Sequence, residues 1–274
     1  MLCDYHVHTE YSDDSVYEME ICVKDALNLG IDEMCFTDHV DYGIKVDKGQ
    51  APIVYHKGKP MYNVDYEKYF NEIHELSIKY PEIKIKRGLE FGMQRDTIQD
   101  FQKIFIKYPL DFVILSVHQI NNEELWLNDY QKNKTQDEYN LGYYEELLFL
   151  VKNYKDYSVL GHLDLIARYD KEGSYPFPKL KDIVSEILKI VISDGKGIEV
   201  NTSSHRYGLN DMTPSRDILK LYKELGGSVI TIGSDSHRPE HLAKYLNETR
   251  QELKKIGFRS YCTFDNMIAT YHEL

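Results

Sequence analysis

Short apolar runs alternate with longer stretches of helical hydrophobic spacing along nearly the whole of this 274-residue chain. That alternation restricts the fold more than any other feature. Repeated strand–helix–strand units within one domain pack as a parallel sheet covered by helices. The runs at 2–8, 33–38, 83–90, 111–118, 157–162, 196–201 and 228–235 read as strands, with a weaker one near 257–262. Most are rich in Ile, Val, Leu or Phe, as strands buried on both faces are. Helices are expected near 16–29, 65–80, 94–107, 137–154, 179–194, 214–226 and 239–256. In 179–194, Ile183, Ile187, Ile190 and Val191 mark a core-facing stripe. Thr213-Pro214 puts Pro at a first helical position, and Gly30 and Gly257 stand where helices should stop. Seven or eight such units suit a closed (β/α) barrel, and a doubly wound open sheet satisfies the same pattern. The interruption at 40–64 holds Gly43, Gly49, Pro52, Gly58 and Pro60. A connection that long in a compact domain is expected to form a lid or rim.

The chain reads as a single domain, residues 1–274, large enough to hold a core without disulfides. Cys3, Cys22, Cys35 and Cys262 form no C-x-x-C pair and fit reduced, buried thiols of a cytoplasmic protein. No apolar run approaches the roughly 20 residues of a membrane span, and the first residues do not form a signal peptide. With 45 acidic against 33 basic residues the net charge is −12, which argues against an extended nucleic-acid surface. A small phosphorylated substrate is compatible with it.

The eleven histidines carry the chemistry. His6 and His8 are two apart at the end of the first strand, so both face one side and can converge on an ion. Ser12-Asp13-Asp14-Ser15 follows, where helix capping alone accounts for one aspartate. Later strands end in Asp38-His39, Glu90, His118, His162 with Asp164, Glu199, and Asp235 with His237. Each alone is compatible with a satisfied core polar group. Together they occupy the strand ends at which barrel active sites assemble, and such groups are costly there unless paired or metal-bound. Mixed His and carboxylate donors without Cys suit Zn²⁺, Mn²⁺ or Fe²⁺. His6, His8, Asp14, His39, Glu90, His118, His162, Asp235 and His237 exceed what one tetrahedral ion uses, so two or three ions sharing a bridging carboxylate are expected. His56, His74, His241 and His272 are read as surface or packing residues, and His205 adjoins the sixth strand end without an assigned role.

The ordered set D-Y-H-V-H-T-E-Y-S-D-D-S, F-T-D-H-V-D-Y, G-L-E-F-G, S-V-H-Q-I, G-H-L-D-L-I-A-R-Y, E-V-N-T-S-S-H-R-Y and G-S-D-S-H resembles the polymerase and histidinol phosphatase (PHP) family, in its histidinol-phosphatase branch. The resemblance implies a distorted (β/α)7 TIM-like barrel with up to three metals at the C-terminal ends of the strands. It places the first ion on His6, His8, Glu90 and Asp235. It bridges Glu90 to a second ion on His118 and His162, and puts a third on His39, His237 and position 14. Many relatives have His at that position, where this chain has Asp14 directly after Asp13, and Asp13 is an open alternative as the ligand.

The resemblance implies hydrolysis of L-histidinol phosphate to L-histidinol and phosphate, in histidine biosynthesis. Arg168 and Arg206 lie just beyond two strand ends and are the expected phosphate clamps, since guanidinium binds phosphate oxygens in pairs. Arg95 is a further candidate, and Ser203 or Ser204 a hydroxyl donor. The leaving oxygen needs a proton, for which Asp38, water on a metal, or a rim histidine are open alternatives. Asp41, Tyr42, Tyr169 and Tyr207 are candidates for the substrate's amine and ring, in a chain with 23 Tyr. Rival readings are a phosphoesterase for a nucleotide, a nucleic-acid end or phosphotyrosine, and a non-catalytic metal-stabilised binding domain.

Overall fold

A computed structural model describes residues 1–56 and 58–274. Seven parallel strands form the barrel wall: β1 (Cys3–Val7), β2 (Glu33–Phe36), β3 (Lys84–Gly92), β4 (Phe112–Ser116), β5 (Val159–Leu160), β6 (Gly197–Asn201) and β7 (Ile230–Gly233). They pair in sequence order. The ring closes just past β7: Val7 bridges Ser236 in parallel, and the His8 amide donates to the Ser236 carbonyl at 2.8 Å. This is the closed alternative, with a distorted seam. Helices α1 (Met19–Asn28), α2 (Tyr66–Lys79), α3 (Ile98–Lys107), α4 (Gln136–Asn153), α5 (Phe177–Ser193), α6 (Arg216–Glu224) and α7 (Leu246–Ile256) cover the outside. Local chemistry sets their ends. Thr135 caps α4 through the Glu138 amide, and the Glu138 carboxylate accepts from the Thr135 amide at 2.7 Å. Gly257, at φ 102°, ends α7.

β3 is the longest barrel strand and organises the mouth. β2 pairs with its first half through Phe36↔Arg87, breaks at Thr37-Asp38, and resumes as His39–Val40 opposite Glu90 and Phe91. The break carries His39 up to the height of Glu90.

Three expectations need correction. Pro214 is not a first helical residue: α6 starts at Arg216, and the Ser215 amide before it is held by Asp164 at 2.7 Å. The stretch near 257–262 is no barrel strand. β8 (Ser260–Asp265) pairs antiparallel with β9 (Ile268–Glu273) through a turn in which Asn266 and Met267 both have positive φ. This hairpin covers the N-terminal end of the barrel, where the Phe264 amide donates to the Tyr5 hydroxyl at 2.8 Å. Finally, the tyrosines are mostly core. Tyr5, Tyr69, Tyr143, Tyr144, Tyr154, Tyr157 and Tyr222 are among the largest fully buried side chains.

The 40–64 segment forms part of the rim. Its hairpin pairs Val54–His56 with Lys59–Met61, and Ile44, Lys45 and Met61 face the mouth.

Candidate metal centre

At the C-terminal ends of the strands lies a cavity of 620 Å³. Its floor is built around the buried carboxylate of Glu90. Oε2 of Glu90 faces Nε2 of His6 at 3.1 Å, Nε2 of His8 at 3.4 Å and Nδ1 of His39 at 3.1 Å. Oε1 faces Nε2 of His118 at 3.1 Å and Nε2 of His162 at 2.8 Å, and accepts from Ser116 at 2.7 Å. Asp235 Oδ1 stands 3.8 Å from His6 and 3.6 Å from His8. Asp14 reaches Nε2 of His237 at 3.2 Å and Nε2 of His39 at 3.7 Å. All nine expected ligands, eight at or near strand ends and Asp14 from the segment after β1, are thus brought together. Asp13 points elsewhere and pairs with the Lys45 ammonium.

The donor set suits cations. Four triplets have atoms within 4.8 Å of one another: His6, His8 and Asp235; His6, Glu90 and His162; His39, Glu90 and His118; and His8, His39 and His237. Nε2 of His8 and Nδ1 of His39 are buried with no hydrogen-bond partner among the described residues. Buried polar atoms without partners are uncommon, and nitrogens converging on carboxylate oxygens are what a divalent ion satisfies. Burial, reinforced by the rings of His237, His39 and His6, holds His8 well below the ordinary histidine range, in the neutral form that ligates. For Glu90 burial acts upward, but the facing rings of His6, His118 and His39 outweigh it and hold the carboxyl well below its usual range.

A layer of groups beneath the floor supports several of these histidines. Glu199 accepts from Nδ1 of His6 at 2.5 Å and from the His162 amide at 2.8 Å. Asp41 accepts from Nδ1 of His118 at 2.7 Å and holds Lys45 at 2.8 Å. Asp38 accepts from Ser12 at 2.7 Å, and that hydroxyl lies 3.1 Å from Nδ1 of His8. Such partners orient metal-binding imidazoles and raise their basicity. Small residues leave room for them: a Cβ on Gly92 would collide with Asp41 and His118, and one on Gly233 with His6 and Glu199.

Several expected roles shift accordingly. Asp38 is fully buried beneath the floor, tied to Thr9 and Ser12, and does not line the cavity. Asp41 works behind His118 and is not free for an amine. Tyr42 bonds Asp47 rather than the cavity, and Arg95 is tied to Glu146. His241, read as a packing residue, lies on the cavity wall. Glu199, named at a strand end but outside the expected ligand set, supports His6 and His162, and a lone Glu inside the apolar strand Gly197–Asn201 is the signal for it.

Arg168 and Arg206 reach the cavity from the turns after β5 and β6. Arg168 donates to Ser203 at 2.6 Å, lies 4.2 Å from the Tyr207 ring centre, and leaves its buried Nε without a partner among the described residues. Arg206 donates to the carbonyls of Ser234 at 2.9 Å and Asp235 at 2.6 Å. Both guanidinium groups stand near Asp235, at 3.5 and 3.7 Å. An anion entering here meets two fixed cations opposite the imidazole cluster.

The PHP domain family model matches residues 4–203. A histidinol-phosphatase of Lactococcus lactis subsp. lactis (strain IL1403) is 32% identical over 268 residues, spanning 96% of this chain and 94% of that protein. A probable histidinol-phosphatase of Thermotoga maritima is 28% identical, spanning 94% and 93%. The crystal structure of the Lactococcus lactis histidinol phosphate phosphatase, complexed with zinc, L-histidinol and phosphate, aligns with a TM-score of 0.86 at 31% identity and 98% coverage of both chains. A putative histidinol phosphatase of Listeria monocytogenes shares the fold, with a TM-score of 0.75 at 19% identity over 89% of this chain and 99% of that one.

Proposed function

The chain belongs to the PHP domain family, and on that premise we propose the reaction of its site: metal-dependent hydrolysis of L-histidinol phosphate to L-histidinol and phosphate. The observation that carries this reading is the pairing of Glu90, ringed by five imidazoles, with Arg168 and Arg206 across the same cavity. In this reading His6, His8, Glu90 and Asp235 would hold one ion, and Glu90, His118 and His162 a second. His39, His237 and Asp14 would hold a third, since Asp13 is engaged by Lys45. Zn²⁺, Mn²⁺ and Fe²⁺ all suit these donors, and zinc is the metal of the Lactococcus lactis structure. Bound divalent ions supply charge neutralisation at the phosphoryl oxygens and lower the pKa of water to about 7, so that a nucleophile is available at neutral pH.

The protein's own groups do the rest. Arg168 and Arg206 bind the phosphoryl oxygens and fix phosphorus over the floor, with Ser203 and Tyr207 holding the Arg168 plane. Glu199, Asp41 and the Asp38–Ser12 pair keep His6, His118 and His8 in register, so little reorganisation is needed when charge develops. Water adds to phosphorus, the ester P–O bond breaks, and the histidinol oxygen leaves with a proton. Asp38 lies too deep to deliver that proton, which comes from a group on the cavity wall or from water.

The reading assigns the enzyme to histidine biosynthesis in the cytoplasm. It is supported by four buried, unpaired cysteines. No helix is long and apolar enough to cross a membrane among the described residues. Steady-state assays on histidinol phosphate, phosphotyrosine, AMP and a short oligonucleotide, with metal content measured on the same sample, test it. We expect kcat/KM for histidinol phosphate to exceed the others by about 100-fold or more, worth roughly 2.7 kcal/mol of transition-state binding. Comparable values on all four would refute the assignment.

A further inference from the structure

The imidazole floor and the two guanidinium groups come from different stretches of chain, and one buried side chain touches supports of both. Asn201 ends β6 and is buried. Its Nδ2 lies 3.3 Å from Oε2 of Glu199, the carboxylate that holds His6 and the His162 amide, and 3.3 Å from Oδ2 of Asp235. The other oxygen of Asp235 faces His6 and His8. Oδ1 of Asn201 accepts from the Ser203 amide at 3.0 Å and from the Ser203 hydroxyl at 2.5 Å. Only one orientation of the side-chain amide fits this setting. Ionised carboxylates only accept and a backbone N–H only donates, so the NH2 group faces Glu199 and Asp235 and the carbonyl faces Ser203. Both donors and both acceptor positions of Asn201 are thereby filled by protein, and it does not line the cavity.

That orientation sets the direction of the next bonds. The Ser203 proton goes to Asn201, and the Ser203 oxygen accepts from Nη2 of Arg168 at 2.6 Å. Ser203 is therefore a support of Arg168 rather than a hydroxyl donor to an anion. The chain runs one way, from guanidinium through hydroxyl and amide to two carboxylates, an arrangement in which hydrogen bonds polarise one another. Asn201 also caps the turn Thr202–His205 through the Ser203 amide. The Arg206 amide closes that turn on the Ser203 carbonyl at 3.0 Å, and the Arg206 side chain reaches the Ser234 and Asp235 carbonyls. Both guanidinium groups are thus placed from the same residue.

Building on the histidinol-phosphatase reading, in which Arg168 and Arg206 bind the phosphoryl group, we infer that Asn201 is the positioning residue that registers this clamp on the metal floor. It ties Arg168, through Ser203, to the carboxylates of Glu199 and Asp235, so one link sets the groups for the phosphate and the groups for the ions.

Three variants test it: Ser203→Ala, Asn201→Ser and the two combined. Calorimetry with inorganic phosphate on metal-loaded protein, competition with a chelator, and KM for histidinol phosphate are the readouts. Ser203→Ala cuts the link beyond Asn201, so the phosphate Kd and KM rise about three- to tenfold while metal affinity stays within about twofold of the wild type. Asn201→Ser keeps an oxygen to cap the turn but cannot reach the carboxylates. It weakens phosphate by a similar factor and also lowers metal affinity about tenfold. The combined variant binds phosphate no more weakly than Asn201→Ser alone, because both changes break one link. A residue that merely caps the turn would be replaced by Ser without loss, so wild-type phosphate and metal binding in Asn201→Ser overturns the inference. Unchanged phosphate binding in Ser203→Ala, or losses that multiply in the combined variant, overturns it as well. A wild type that binds phosphate but leaves histidinol phosphate intact defeats the reaction assignment alone, and one that binds no phosphate defeats both.

Discussion

At the floor of the cavity, His6, His8 and Glu90 are fully buried on or just past strands, and a second polar group fixes each of them from below or beside. At the rim, Glu124 and Trp126 come from a tight turn, are partly exposed, and depend chiefly on each other. The contrast separates two demands on one site. Groups that share charge with an ion need sub-ångström placement, which strand ends and their supports provide. Groups that border an entrance need only shape and charge, which loops supply and can vary.

The largest effect that would test this division is at the floor. Glu90→Ala should lose bound metal and lower kcat by at least about 10³-fold, since several kcal/mol of charge stabilisation vanish with it. Metal analysis and turnover on one sample check this, and full turnover in the variant would break the bridging role. Glu199→Ala leaves every proposed ligand in place but frees His6. A loss of about 10- to 100-fold in metal affinity or activity is expected, and competition with a chelator measures it. If Glu199→Ala behaves as the wild type, the floor needs no support and the contrast with the rim collapses. Arg206→Ala removes one of the two proposed charge-assisted contacts to phosphate. KM should rise about 10- to 100-fold, and a KM and kcat both unmoved would remove Arg206 from the clamp.

The smallest effect concerns a group below the reacting layer. Burial lifts the Asp164 carboxyl to about 7, against 3.8 ordinarily, despite the Ser215 amide that favours its charged form. Between those values the folded chain holds a proton that the unfolded chain has lost. Stability therefore falls as pH rises across that window, by at most about 1.4 kcal/mol per pH unit, and levels off above it. Asp164→Asn removes that slope, so its advantage over the wild type should grow from pH 5 to pH 7 in urea melts. Parallel stability profiles would show that Asp164 is ionised throughout.

The parts of the site legible in the sequence were those that obey a local rule. H-x-H on a strand and polar residues at each strand end follow from the two-residue period and the common polarity of parallel strands. Glu199 and Asp41 were not assigned as supports because their partners, His6 and His118, lie far away in the chain, and no local pattern marks a side chain that points behind a ligand. Asp38 shows the converse. It occupies a strand end beside His39, yet the break in β2 turns the two to different depths. The hairpin of β8 and β9 was half visible, since Asn266-Met267 lacks the Gly that usually marks such a turn. Tyrosine count misled for a compositional reason: the ring packs as well as it binds, and most of the large buried side chains here are Tyr.

Lys45 belongs to neither region alone. It rises from the rim segment, and its ammonium joins Asp13, next to the proposed ligand Asp14, to Asp41, which holds His118. The lysine thus ties the entrance of the barrel to groups that stand beside and behind the proposed ligands, so one buried cation balances charge at both levels.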